Sequence, residues 1–307
     1  EQWLKSLTAL RAGFLSYDPM SRATAAIVAA SALDQFSVEP APRQWIEALA
    51  PIHDVFAASL ADADGIVRTL VLNEVRRFWV WMPGRSLTPA EEDALAAWKE
   101  GLHGPIVRCL SSNDRETKIA AINTLGYLPV DLAAAPAVAY LDDESADVRR
   151  QVLISFAGRP NILTVDMLLK RLHDPDEGIR EVSKSTLKVR GLNHELISLG
   201  GLMTSPKADQ RASVVALVKD RVDIDPVVWL LQLSRDADES VRLHAVEALA
   251  AHKPQTVTIK QRIIEMAHTD ASSRVAEAAG KLLTSPEETT AALPPLPGSS
   301  LLNPKAN

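Results

Sequence analysis

Polar and apolar positions recur along this chain with a spacing of 31 residues. Four segments carry the pattern most clearly: LDDESADVRRQVLISF from Leu141, LHDPDEGIREVSKSTL from Leu172, MTSPKADQRASVVALV from Met203 and SRDADESVRLHAVEAL from Ser234. Three columns stay in phase through all four. They are a basic residue (Arg149, Arg180, Arg211, Arg242), an acceptor six residues earlier (Asp143, Asp174, Ser205, Asp236) and an apolar residue seven residues later (Phe156, Leu187, Val218, Leu249). A fixed spacing of this kind predicts an array of structural repeats.

Each repeat has the pattern of two helices joined by a short turn. In one of them, the apolar run 162–172 predicts a first helix, the stretch HDPDE predicts a turn, and GIREVSKSTLKVR predicts a second helix. Asp174 or Asp176 can cap the second helix by accepting its unpaired backbone N–H groups. Ile179 and Leu187 fall on one face of that helix. Such a pair cannot bury its apolar face alone, so we expect neighbouring pairs to stack around one core.

The pattern extends in both directions beyond these segments. Upstream it continues at Ser112, Lys118 and Leu125, and then, after a longer spacing of 50 residues, at Asp62, Arg68 and Val75. Downstream it continues at Asp270, Val275 and Leu283, with Ala276 in the basic column. We therefore predict divergent capping helices over 1–40, a repeat array over 41–284 with an insertion near 76–92, and a disordered tail rich in Pro, Ser and Thr over 285–307.

A repeat of this length, with D-x-x-x-x-[VI]-R at the start of its second helix, resembles the short bacterial HEAT-like repeat that is also found in phycobilin lyases. The resemblance covers roughly residues 41–284 and is strongest over 112–249. It implies an all-α fold, a right-handed α-α superhelix of about seven or eight helix pairs. Families built from this repeat include scaffolds, chaperone-like factors, bilin lyases and DNA-repair proteins, so the resemblance does not choose a function.

Composition and charge narrow the range of partners. Hydrophobic residues make up 47% of the chain and aromatic residues only 5%, as expected of a helical core of Ala, Leu and Val. The net charge of −6 at pH 7 gives no general attraction for phosphate backbones or anionic lipid. We therefore expect protein partners and no nucleic acid.

The same features bear on the compartment. No run approaches the ~20 apolar residues that a membrane-spanning helix needs, and the single cysteine, Cys109, excludes an intrachain disulfide. We expect a soluble protein, with a cytoplasmic location favoured over a periplasmic one. Because the chain opens with Glu1 rather than Met, we expect a processed protein or part of a longer one, and a signal or anchor in missing flanks stays open.

The insertion, RRFWVWMPGRSLTPAEE, is the first candidate interaction site. It concentrates aromatic and arginine side chains, at Arg76, Arg77, Phe78, Trp79, Trp81 and Arg85. Because these residue types anchor protein interfaces, the insertion predicts a binding hot spot. The alternative is that the rings cover the lengthened helix pair itself.

The two ends of the chain carry further patterns. Trp3, Leu4, Leu7 and Leu10 form one helical stripe, which either packs on the next helix or meets a preceding domain. PPLP in the tail could adopt a polyproline-II conformation and dock on an aromatic groove, although a plain spacer is the simpler interpretation.

No cluster of residues predicts catalysis, a metal or a cofactor. His194 and Glu195 form one His-Glu pair, similar to the metal-binding motif of the HEAT-fold deoxyhypusine hydroxylases, but those enzymes need several such pairs. Cys109 lies in HGPIVRCLSS, where a buried structural cysteine is expected rather than a nucleophile or a chromophore anchor. We therefore expect that the protein is not an enzyme.

The basic column suggests a structural ladder. Each basic residue accompanies an Asp or Ser at the preceding turn, which predicts salt bridges and hydrogen bonds that tie repeat to repeat. The ladder residues are Asp143, Arg149, Asp174, Arg180, Arg211, Asp236 and Arg242. The alternative is a groove for phosphate groups.

The function that fits these patterns is a non-catalytic protein-binding scaffold or adaptor. We expect the second helices to line a concave surface, with specificity spread over polar positions such as Arg150, Gln151, Glu181 and Lys184. A chromophore-handling factor that resembles bilin lyases, and a nucleic-acid-binding protein like the HEAT-like DNA glycosylases, are the alternatives.

Overall fold

Seven helix pairs follow a single helix in the part of the chain that the computed structural model describes, which comprises residues 13–35, 52–81, 88–128 and 136–283. No β-strand occurs in these four ranges. The predicted all-α repeat fold is therefore confirmed. The predicted boundaries at 1–40 and 285–307 stay predictions, and the Trp3–Leu10 stripe and the PPLP tail lie outside these ranges.

We number the pairs as repeats 1 to 7, after the single helix Pro19–Gln35. Repeats 1 to 3 comprise 52–59 with Gly65–Trp81, Pro89–Leu110 with Arg115–Leu125, and 136–142 with Ala146–Phe156. Repeats 4 to 7 comprise Val165–Lys170 with Glu177–Val189, His194–Met203 with Ala208–Val218, Pro226–Leu233 with Glu239–Ala251, and Val257–Thr269 with Ser273–Leu283. Short 3₁₀ turns, Ala139–Asp142 and Arg171–His173, complete the first helices of repeats 3 and 4.

Side-chain caps start several of the second helices. Asp114 accepts a hydrogen bond from the Thr117 backbone N–H at 2.9 Å, and Asp176 accepts one from Ile179 at 3.0 Å. These bonds satisfy donors that the first turn of a helix leaves unpaired. Asp174 has a different place, because its carboxylate accepts from the Asp176 backbone N–H at 2.9 Å and so stabilises the turn before the helix.

The apolar column forms part of the core. In repeats 1 to 6 its members are fully buried: Val75, Leu125, Phe156, Leu187, Val218 and Leu249. Leu283, at the equivalent place in repeat 7, is 38% exposed. Burial of side chains of this size stabilises a fold by about 1.5–3 kcal/mol each, so the column contributes to the core in each of these six repeats.

Of the extra length near 76–92, the described residues extend two helices, and residues 82–87 lie outside the described part of the chain. The second helix of repeat 1, Gly65–Trp81, has 17 residues, and the first helix of repeat 2, Pro89–Leu110, has 22. The second helices of repeats 2, 3 and 5 have 11 residues each. Thr88 and Glu91 form a capping box at the start of the longer helix, which fixes where it begins.

The chain divides into two compact units, 1–163 and 164–307. The first unit holds Pro19–Gln35 and repeats 1 to 3, whose second helices pack on one another in series. The second unit holds repeats 4 to 7, and the second helices of repeats 5, 6 and 7 pack in series. Among the described helices, none has the length and apolar character needed to cross a bilayer.

Candidate protein-interaction surface

The exposed face of the second helices is set by the same register as the core. Two columns remain at least partly exposed in every repeat, one two residues before the basic column and one five residues after it. The earlier column contains Ile66, Glu116, Asp147, Gly178, Asp209, Ser240 and Arg274, and the later one contains Asn73, Asn123, Ile154, Ser185, Ala216, Glu247 and Lys281. Positions seven residues apart lie on one face of a helix, so the two columns form one stripe on each second helix.

In the first unit, this stripe carries a charged cluster that joins repeats 2 and 3. Arg115 Nη1 lies 3.0 Å from Asp147 Oδ2, and Arg150 Nη1 lies 3.6 Å from Asp147 Oδ1. Gln151 donates a hydrogen bond to Ser155 Oγ at 2.9 Å. Ile154 lies on the same helix and is 56% exposed. The predicted residues Arg150 and Gln151 therefore lie beside an exposed apolar side chain.

In the second unit, the predicted pair Glu181 and Lys184 forms an ion pair of 2.7 Å on the second helix of repeat 4. A cavity of about 450 Å³ lies between the second helices of repeats 6 and 7. Leu243, Ala278 and Leu282 supply its apolar lining, and its charged lining comes from Glu247, Glu277, Arg274 and Lys281. Sequence reasoning did not identify this cavity, because its residues belong to two different repeats.

The aromatic residues of the insertion lie largely inside the first unit. Phe78 and Trp79 are 7% and 2% exposed, and their ring centroids lie 5.1 and 6.3 Å from that of Trp98 in edge-to-face arrangements. Phe56 joins the cluster with its centroid 6.0 Å from Trp98. This arrangement agrees with the alternative in which the rings cover the lengthened helix pair, so Phe78 and Trp79 offer almost no surface to a partner.

The arginines of the insertion have separate environments. Arg77 pairs with Glu74 on the same helix at 2.6 Å. Arg76 is partly exposed, and its Nε is buried without a hydrogen-bond partner among the described residues. Arg85 and the side chain of Trp81 lie outside the described part of the chain.

The basic column makes two kinds of contact. Arg211 Nη1 donates to the Ser205 carbonyl oxygen of its own repeat at 2.8 Å, while Nε and Nη2 donate to the Asp236 carboxylate of the next repeat at 2.7 and 2.8 Å. Arg242 repeats the arrangement with the Asp236 carbonyl at 2.9 Å and the Asp270 carboxylate at 2.9 and 2.8 Å. Each of these two arginines therefore donates to the backbone carbonyl of the acceptor residue in its own repeat. Each also donates to the side-chain carboxylate of the acceptor residue in the next repeat.

The same contacts occur within the first unit. Arg22 donates to both oxygens of Asp62, at 2.6 and 2.9 Å, and Lys118 donates to Asp143 at 2.9 Å. Arg149 in this unit and Arg180 in the second unit bind the backbone of their own turns, through the carbonyls of Asp143 and Asp174, each at 2.8 Å. These contacts engage the column in intramolecular hydrogen bonds.

The carboxylates of the ladder respond to these contacts. The hydrogen bond from Arg22 is the chief cause that holds the pKa of Asp62 below its usual value, against an opposing effect of burial. For Asp270, burial opposes ionisation most strongly, yet the hydrogen bonds from Arg242 and the Ser272 backbone still bring its pKa below the usual value. Both carboxylates are ionised partners of the ladder at neutral pH.

Residues that could carry chemistry do not converge in the described part of the chain. Cys109 is 2% exposed, burial raises the pKa of its thiol to about 11, and its Sγ donates to the Leu60 carbonyl at 3.4 Å. Glu195 of the His-Glu pair is engaged by Arg221 at 2.7 Å. The described residues contain no group of three or more His, Cys, Asp or Glu side chains arranged to hold a metal.

One buried polar contact was missed by sequence reasoning. Arg262 in the first helix of repeat 7 is 7% exposed and donates to the Ser234 hydroxyl at 2.8 Å and to its carbonyl at 2.6 Å. This contact ties the first helices of repeats 6 and 7 together. No column predicts it, because an arginine at this place occurs in that repeat alone.

Comparison with known proteins finds similar structures among those that have been solved. The sequence matches no protein-family model and no curated protein. Among solved structures, Kap121p bound to Pho4p is 15% identical, covers 92% of this chain and 33% of its own, and gives a TM-score of 0.48. A structure of microtubule polymerases with tumor overexpressed gene domain arrays is 12% identical, with coverages of 89% and 76% and a TM-score of 0.41.

A designed armadillo repeat protein is 18% identical, with coverages of 74% and 97% and a TM-score of 0.32. These structural neighbours are HEAT- and armadillo-repeat solenoids. The assignment of the fold itself rests on the seven helix pairs and on the ladder between them.

Proposed function

We propose that this protein is a non-catalytic scaffold or adaptor that binds another protein through the exposed stripe of its second helices, within a larger assembly. The observation that carries the proposal is the variation of that stripe from repeat to repeat. Ile66, Glu116 and Asp147 occupy one position in successive repeats of the first unit, and Asp209, Ser240 and Arg274 occupy it in the second. A core column that stays apolar, combined with exposed columns that vary, gives each repeat its own contact chemistry.

The mixture of side chains supports a protein partner. Ile66 and Ile154 are 55% and 56% exposed on second helices, and charged groups such as Arg150 lie near Ile154. Protein interfaces combine apolar contacts with a polar rim, and the stripe supplies both kinds of side chain. In the basic column, Lys118, Arg211 and Arg242 donate to carboxylates inside the molecule, so the column offers no continuous row of free cations for a nucleic-acid backbone.

The proposal is tested by affinity capture of the chain from its native lysate with a lysine-reactive crosslinker, followed by mass spectrometry. In the second unit, Lys184 and Lys281 lie on second helices, and Lys170 and Lys260 lie on first helices. We expect one protein to be joined repeatedly through Lys184 or Lys281. Recovery of a pigment, a metal or nucleic acid without such crosslinks would overturn the proposal.

A further inference from the structure

In the first unit, the ladder contact between repeats 1 and 2 lacks a carboxylate. Where Arg211 and Arg242 meet Asp236 and Asp270, Arg68 of repeat 1 meets Ser112 of repeat 2. Its Nη1 makes the usual backbone contacts, with the carbonyls of Asp62 at 2.6 Å and Ala63 at 2.9 Å. The guanidinium is therefore held in the same orientation as at the other steps.

Of the other two nitrogens of the Arg68 guanidinium, only one has a hydrogen-bond partner among the described residues. Nη2 donates to Ser112 Oγ at 3.0 Å, while Nε is buried and has no hydrogen-bond partner among the described residues. At Arg211, the equivalent Nε and Nη2 donate to the two oxygens of one carboxylate. A guanidinium presents these two donors side by side and so matches a planar, two-oxygen acceptor. A serine hydroxyl can satisfy only one of them.

The space beside Ser112 is open to a ligand. A groove of about 640 Å³ runs between the turns of repeats 1 and 2, lined by Arg68, Arg108, Ser112 and Asn113. Arg108 is exposed, and both arginines lie close enough to Cys109 to favour its thiolate form electrostatically. Arg108 therefore lines the same groove as Arg68.

The carboxylates at the edge of this groove already have partners. Asp62 receives two hydrogen bonds from Arg22, at 2.6 and 2.9 Å. Asp114 accepts from the Thr117 backbone at 2.9 Å and from the Thr117 hydroxyl, and a Cβ at Gly65 would lie 2.7 Å from its Oδ2. Because both are held by these contacts, neither reaches Arg68 Nε.

We infer that Arg68 and Arg108, beside Ser112, form a binding site for a carboxylate, and that the carboxylate is an Asp or Glu side chain of a bound protein. The ligand would take the place that Asp236 and Asp270 occupy beside Arg211 and Arg242, with its two oxygens accepting from Arg68 Nε and Nη2. The groove is far larger than one carboxyl group, which leaves room for the backbone that bears it. This inference rests on the proposed function, since a protein partner supplies the acid.

The test uses the full chain and a blocked peptide, N-acetyl-Ala-Asp-Ala-amide, with the Asn peptide as its matched control. Thermal unfolding is followed at constant ionic strength. We expect the Asp peptide, at about ten times its Kd, to raise the Tm by about 2–4 °C, and the Asn peptide to leave it unchanged. An equal rise with both peptides would contradict the assignment.

Variants at the site distinguish peptide binding there from a general effect of charge on the Tm. Ser112→Asp supplies the carboxylate within the chain, so we expect a higher Tm without peptide and no further rise with it. Ser112→Ala leaves the place open and should keep the response, while Arg108→Gln should weaken it. A full response in Ser112→Asp would overturn the inference.

Acetate distinguishes the source of the carboxylate. If acetate raises the Tm in the wild type but the Asp peptide does not, the site accepts a free acid and the assignment to a protein side chain is wrong. If no peptide response is seen while a captured protein still crosslinks to the second helices, the carboxylate site is wrong and the scaffold function stands.

Discussion

At the level of single residues, an acceptor-column aspartate can make two kinds of hydrogen bond at the same time. Asp236 accepts from the Asp238 backbone N–H at 2.8 Å, which shapes the turn, and it also receives Arg211 from the preceding repeat. The sequence predicted a ladder from the phase of the two columns. It did not predict that the arginine reaches the carboxylate 25 residues ahead, because that pairing depends on how closely successive turns lie in space.

Asp62 gives a pH-dependent test of one step of the ladder. The pKa of Asp62 is lowered in the folded protein by Arg22, so its contribution to stability is present above the unfolded value of about 3.8 and is lost as the pH falls through the folded value. We expect Asp62→Asn to reduce the free energy of unfolding at pH 7 by roughly 1–3 kcal/mol. The difference from the wild type should shrink as the pH is lowered from 4 toward 2.

Urea unfolding at a series of pH values measures this difference. Asp93→Asn, at an exposed position in the first helix of repeat 2, is the matched control and should leave the pH dependence unchanged. A difference between Asp62→Asn and the wild type that stays constant from pH 7 to the acid end would refute the role of the ionised carboxylate.

The burial of the insertion's aromatic rings depends on one residue of the next repeat. Phe78 and Trp79 pack on Trp98, which lies 19 or more positions further along the chain in the next repeat. A cluster of aromatic and arginine residues has the composition of an interface and of a local core alike. Only the position of Trp98 in space distinguishes the two.

At the level of helices, the register of the repeat was predictable. The lengths of the helices that contain the extra residues were not. The pattern placed the second helices of repeats 2 to 6 in the correct order, since their polar turns and apolar columns are regular. A lengthened helix pair was one of two interpretations of the added length near 76–92, and the pattern did not predict helices of 17 and 22 residues. Alanine-rich stretches such as ALAAW suit a helix of any length, so periodicity alone does not fix where one ends.

Two adjacent glycines test how closely the first helices of repeats 4 and 5 approach each other. A Cβ at Gly200 would lie 2.7 and 2.8 Å from the two methyl carbons of the buried Leu169. We expect Gly200→Ala to reduce the free energy of unfolding by about 1–3 kcal/mol, because the crowding outweighs the better helix propensity of alanine.

Gly201→Ala is the matched control. Its Cβ would meet Leu172 Cδ1 at 3.4 Å, an ordinary contact, so the substitution should be neutral or should stabilise by up to about 1 kcal/mol. Urea unfolding of both variants gives the comparison. If both alanines stabilised the protein equally, the close approach of the two helices would be wrong.

At the level of the whole molecule, the sequence predicted the class of fold and left the choice of function open. Repetition specifies a stack of helix pairs because each pair has an apolar face that only a neighbour can cover. The predicted candidates Arg150, Gln151, Glu181 and Lys184 lie on second helices, in the two units respectively. The exposed isoleucines and the cavity beside Leu243 could not be predicted, since exposure depends on packing between repeats.

The central claim, that the second helices bind the partner, is tested most directly by a photocrosslinking amino acid at two positions of the second unit. Leu217, on the second helix of repeat 5, is 48% exposed, and Ile264, on the first helix of repeat 7, is 41% exposed. After irradiation in the native lysate, we expect one protein to be joined to the Leu217 variant and little or none to the Ile264 variant. Crosslinking of the same protein through Ile264 alone, or equally through both, would contradict the account.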